Sequence, residues 1–156
     1  MSLERLQRES LIERQQTTPE EIAELARLVE RDLSAHGYPD LPYDWRFAIA
    51  YSAALQAATI VVRAAGYRAL SGAHHYATFA AFGAIAGDEY ADRVEYLQSC
   101  RNKRNRAEYQ QAGQITEAEV AALAEEAVQL RDWVATWLRY HHPELVPERW
   151  QSPKDG

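Results

Sequence analysis

The run from Tyr43 to Ala65 constrains the fold of this chain more than any other stretch. Phe47, Ala50, Tyr51, Ala54, Leu55, Ala58, Val61 and Val62 recur three and four residues apart, which makes a broad apolar helical face. Gln56 and Arg63 interrupt the segment from Phe47 to Ala65 and alanine dominates it, so a buried amphipathic helix explains it better than a membrane span. The small side chains let neighbouring helices come close. Gly66 ends the helix, and Tyr67 to Gly72 reads as a connection.

Helix punctuation then divides the rest. Thr18, Pro19 and Glu21 supply an N-cap, a first-turn proline and the N3 acid of a capping box, and open a helix that stops near Gly37. Pro39 and Pro42 break the chain before Tyr43. A helix is expected from about Ala73 to Ile85, another from Asp88 to about Gln111, and the longest from Glu117 to about His141 behind a second capping box, Thr116 with Glu119. Residues 3 to 16 read as a short charged helix. No segment has the two-residue period of a strand. The expected fold is all-α: an antiparallel up-and-down bundle of four main helices plus a peripheral N-terminal helix. Residues 1–16 form the peripheral helix, 17–142 the bundle, and 143–156 an extended proline-rich tail that the core can spare.

At 156 residues the chain is the size of one domain, and 47% hydrophobic with 26% charged residues fits a soluble globular protein. The single Cys100 excludes an internal disulfide and a cysteine-rich metal site, and it reads as an inert apolar residue. Charges at Glu4, Arg5, Arg8 and Glu9 leave no apolar core for a signal peptide, so a cytoplasmic location with no membrane partner is expected. The net charge of -6 argues against coating nucleic acid by bulk charge. Any anion binding has to be local.

A local cationic site is present. Arg101, Lys103, Arg104 and Arg106 fall within six residues, and the line Tyr90, Val94, Leu97 continues through Arg101, Arg104, Asn105 and Glu108. A core-facing stripe therefore turns cationic partway along its helix. Guanidinium groups aimed at an interior or a groove need carboxylates, carbonyls or a bound anion to meet them. Arg101, Lys103, Arg104 and Asn105 are the candidate binding set.

The order Tyr51-x-x-Ala54-Leu55, then Ala65-Gly66-Tyr67-Arg68, Gly72-x-His74-His75 and Arg101-x-x-Arg104-Asn105-x-x-x-Tyr109 resembles the HEPN superfamily over residues 43 to about 140. These are helical-bundle domains of prokaryotic toxin-antitoxin and defence systems. The resemblance implies a homodimer and, in the family's enzymes, a metal-independent ribonuclease built on an Arg, a polar residue and a His. Arg104 and Asn105 take the first two positions, while Tyr109 stands where the histidine belongs. With an ordinary pKa of about 10, a phenol is roughly one part in a thousand deprotonated at neutral pH, which makes Tyr109 a poor base. Some family toxins carry a tyrosine two residues further on that a partner nucleotidyltransferase modifies; here that position is Gln111.

The expected function is accordingly a catalytically degenerate HEPN-like domain that binds RNA, a nucleotide or an acidic partner, with an antitoxin or nucleotidyltransferase as a further partner and no cofactor. An endoribonuclease using Arg104, Asn105, Tyr109 and a base from His74 or His75 is the alternative, and a structural dimer the third. Arg101, Asn105 and Tyr109 at four-residue spacing, with Arg104 near Glu108, would equally make a polar network pinning helices together. His74 and His75 read as packing residues, a base or a metal pair, although adjacent helical residues diverge by about 100° and suit a metal poorly. Trp45, Trp133, Trp137 and Trp150 read as core or interface.

Overall fold

The computed structural model describes residues 1–109 and 113–151, with the side chains of Glu108 and Tyr109 outside that description. Its helices are α1 (Leu3–Arg8), α2 (Pro19–Ala35), α3 (Tyr43–Ala64), α4 (His74–Ala86), α5 (Ala91–Tyr109) and α6 (Glu117–His141). Two short strands, β1 (Ile12–Arg14) and β2 (Tyr67–Ala69), complete the regular structure. The all-α bundle is as expected, with six helices among the described residues.

α3 is the axis of the bundle. It packs most extensively on α6 and α2, then on α4 and α5. Ala57, Ala58, Thr59, Ile60, Val61 and Val62 are buried one after another, so this part of the helix is covered on every side. By length and hydropathy α3 could cross a membrane, but most of it is interior to this bundle. Its one buried hydroxyl here, Thr59, donates to the Leu55 carbonyl at 2.7 Å and needs no other partner.

The helix starts follow from local chemistry. Thr116 Oγ1 accepts from the Glu119 amide at 3.2 Å and Glu119 Oε1 accepts from the Thr116 amide at 3.0 Å, a complete capping box on α6. On α2 only half of the expected box forms. Thr18 accepts from the Glu21 amide, but the Glu21 carboxylate turns to Arg63 on α3 instead.

Both ends of the chain depart from expectation. Residues 3 to 16 are not one helix: α1 stops at Arg8, Ser10 takes a left-handed φ of 59°, and β1 pairs antiparallel with β2 in the register Ile12 to Ala69. Nor is this segment peripheral, since Leu6 is 0% and Ile12 2% exposed. The tail is likewise no spare extension. Residues 143–145 and 148–150 form single 3₁₀ turns that bury Leu145 and Trp150. Trp150 Nε1 donates to Glu30 at 3.0 Å, and Arg139 donates to the Trp150 carbonyl at 2.7 Å, which closes the segment over α2 and α6. Pro153 lies outside the described residues.

The tryptophans divide. Trp133 and Trp137 are partly buried and stack at 6.2 Å, with Trp133 meeting the Phe82 ring edge to face. Trp45 is 64% exposed and belongs to the surface rather than the core.

Candidate functional site

The apolar line on α5 becomes polar as the sequence predicts. Leu97 and Cys100 are buried, and one turn later Arg101, Arg104 and Asn105 are half-buried. Opposite them stands the first turn of α4, set by Gly72 in a left-handed conformation (φ 99°) that an L side chain would resist. Gly72, Ala73, His74, His75 and Tyr76 on one side and Arg101, Arg104 and Asn105 on the other line an open cleft of about 450 Å³. The structure thus brings together Arg101, Arg104, Asn105, His74 and His75.

Among the described residues, the Arg101 guanidinium is held by neutral groups. Arg101 Nε donates to Gln98 Oε1 at 3.0 Å, and its Cζ lies 5.7 Å from the Tyr76 ring centroid. Gln98 is itself pinned, its Nε2 donating to the Tyr76 carbonyl at 3.0 Å. Arg104 lies over the Tyr51 ring at 5.5 Å and donates weakly to Asn105 Oδ1 at 3.4 Å. The cation–π contact and amide acceptor at Arg101 orient its guanidinium without cancelling its charge.

His75 is the base candidate with a fixed position. Its Nδ1 lies 3.1 Å from the Tyr51 hydroxyl, and Tyr51 is 1% exposed with its ring edge-on to Phe79. Burial raises the Tyr51 phenol, against the opposing pull of Arg104 and Arg101, so it stays protonated at neutral pH. Burial, then Arg104, His74 and Arg101, lowers His75, which is therefore a neutral imidazole at pH 7. When Nδ1–H donates to the phenol oxygen, Nε2 carries the free lone pair. His74 is exposed and is lowered by burial and then by Arg63 and Arg68. Among the described residues no third His, Cys, Asp or Glu gathers around the pair to hold a metal ion.

Lys103 does not join the cleft. Two positions on from Arg101 it points about 200° away around the helix. It pairs instead with Glu119 at the start of α6, beside Arg106 and Ala107. The network expected from Arg104 to Glu108 and on to Tyr109 falls on side chains outside the described residues, as does Gln111. Cys100 is 3% exposed and burial raises its thiol, which makes it unreactive. Three contributors were not assigned to the site from the sequence, although Tyr51 was named in the resemblance. Tyr51 and Tyr76 sit in apolar stretches that hide their polar contacts, and Gln98 signals itself only by standing three residues before Arg101.

Compared with known protein families, curated proteins and solved structures, the chain shows no match. What the site can do rests on its own geometry: two guanidinium groups, a helix start and a neutral imidazole around one cleft suit a phosphate or another compact anion.

Proposed function

We propose that this protein is a HEPN-like domain that holds an RNA or nucleotide phosphate between α4 and α5 without efficient catalysis. The observation that carries the reading is that Arg101 and Arg104 face the first turn of α4 across one open cleft. The backbone amides of a helix start and two guanidinium groups attract the same kind of ligand. An acidic protein partner is the competing ligand. By resemblance the domain acts as a homodimer within a cytoplasmic toxin-antitoxin or defence system, with an antitoxin or a nucleotidyltransferase as partner.

A second reading, a metal-independent endoribonuclease, is favoured by one observation: His75 lines the same cleft as Arg104 and is held neutral there. In that reaction His75 Nε2 takes the proton of the ribose 2′-OH, the 2′-oxygen forms a bond to phosphorus, and the bond to the 5′-oxygen breaks. The product is a 2′,3′-cyclic phosphate, the departing 5′-oxygen takes a proton from water, and Arg104 stabilises the charge gathered on the phosphate oxygens.

One experiment separates the readings. Purified protein is incubated with single-stranded RNA in EDTA, and affinity is measured across a salt series. Salt-sensitive binding that weakens in Arg104→Ala, with intact RNA, supports the binding domain. Cyclic phosphate ends lost in both Arg104→Ala and His75→Ala support the nuclease. No salt-sensitive binding and no cleavage would overturn both.

A further inference from the structure

We infer that the larger groove adjoining this cleft is a nucleobase subsite for bases carrying an exocyclic amino group: adenine, cytosine or guanine in preference to uracil. The inference rests on the phosphate reading above.

Tyr76 lines both cavities, so the two adjoin at this residue. Gln98 also lines the larger groove while bonding Arg101 Nε and the Tyr76 carbonyl, so a phosphate on Arg101 lies one side chain from the groove's entrance. The groove measures about 740 Å³. Its floor is made of small or apolar residues from α4 and α5, among them Ala80, Ala84, Ala91 and Val94, which leave room for a flat ring. Tyr76, with Arg101 over one face of its ring, supplies the aromatic side chain at the junction, and aromatic rings are the usual platform for an unpaired base.

Charge separates the two cavities. Glu4, Asp88 and Glu95 line the groove together with Met1 and its α-ammonium, and no Lys or Arg side chain does among the described residues, so carboxylates outnumber cations there. A phosphate is therefore favoured at Arg101 and Arg104 over the groove. A neutral base with N–H donors is accepted, because carboxylates only accept hydrogen bonds at neutral pH. The amino groups of adenine, cytosine and guanine meet that need; uracil presents two carbonyl oxygens and a single N3–H. The backbone is thereby registered on the cationic side with a base turned across Tyr76.

The test uses fluorescein-labelled rA4, rC4, rG4-free mixed rGA repeats and rU4 in anisotropy titrations with the full chain. Amino-bearing oligomers are expected to bind on the order of tenfold tighter than rU4. Ala84→Phe, which fills the groove from a partly exposed position, and the exposed Glu95→Gln should each reduce the ratio of amino-bearing to rU4 affinity towards one. Circular dichroism melts confirm folding, and Glu95→Gln keeps the test open should Ala84→Phe not fold. Equal affinity for all oligomers, still dependent on Arg104, overturns the subsite and leaves the phosphate reading standing. Binding that ignores Arg104→Ala overturns both. If Ala84→Phe changes only the oligomeric state, the groove is a protein-docking surface and the inference fails.

Discussion

Arginines line two clefts on opposite sides of the design problem. In the cleft under the C-terminal turns, Arg131 donates to Glu30 at 3.0 Å and to Asp132 at 2.8 Å, and Arg139 donates to the Trp150 carbonyl and Thr136. In the cleft between α4 and α5, Arg101 meets an amide oxygen and a tyrosine ring, with no carboxylate within ion-pair distance among the described residues. Arg131 is neutralised by carboxylates, and Arg139 is tied to the backbone of the C-terminal turn, so both are structural. Arg101 is oriented but keeps its charge, which is what an anion requires. The identity of the partner, rather than the presence of arginine, separates a clamp from a binding site.

The largest effect that would sharpen this contrast is on stability at the C-terminal cleft. Trp150 is 5% exposed and holds Glu30, so Trp150→Ala should cost about 3 kcal/mol or more, as truncating a buried aromatic does. A melting temperature lowered by several degrees, with RNA affinity of the folded protein unchanged, is the expected result. An unchanged melting temperature would remove the structural half of the comparison.

The next effect is on binding. Arg101→Gln keeps a polar side chain but removes one charge, and should weaken RNA binding on the order of tenfold while reducing the salt slope by about one. Stability should barely change, because Arg101 closes no ion pair among the described residues. Arg139→Gln is the control and should do the reverse. If the two variants behave alike, the distinction between the clefts is wrong.

Acidity gives a smaller effect with a definite sign. His75 is lowered in the folded protein, so it gains its proton only at pH below the ordinary histidine value of about 6.5. The added positive charge faces the cleft, so RNA affinity should rise as pH falls through that depressed value, and His75→Gln should flatten the rise. Stability moves the other way: the unfolded chain protonates first, so the contribution is fully present above about pH 6.5 and is lost as pH falls towards the folded value. Titrations and melts between pH 7.5 and 5 check both signs.

How far the sequence foretold these features depended on distance along the chain. The α6 capping box was legible because Thr116 and Glu119 are three residues apart and act through their own turn. Arg101, Arg104 and Asn105 were legible because they continue an apolar helical line. The ribbon was hidden, since Ile12–Arg14 finds its partner at Tyr67–Ala69 and three residues are too few to display a period of two. Trp150 to Glu30 spans 120 positions and leaves no local signature. The Tyr51 hydroxyl on His75 was masked by the apolar stripe around it: periodicity says which way a side chain points, not what its polar tip meets.

Lys103 offers the smallest effect and the finest division, because it lies on the same helix as Arg101 with the opposite kind of partner. Its ammonium pairs with Glu119, which also completes the α6 capping box, and both side chains remain partly exposed. An ion pair of this exposure contributes at most about 1 kcal/mol after screening and the entropy of fixing the lysine chain. Lys103→Ala should therefore lower the melting temperature by no more than a few degrees and change RNA affinity by less than about twofold, since the lost charge faces away from the α4 and α5 cleft. Loss of affinity equal to that of Arg101→Gln would mean that RNA responds to the summed charge of α5 and not to the cleft. A loss confined to stability would show that two residues along one helix turn are enough to separate a charge that holds the fold from one that is available to a ligand.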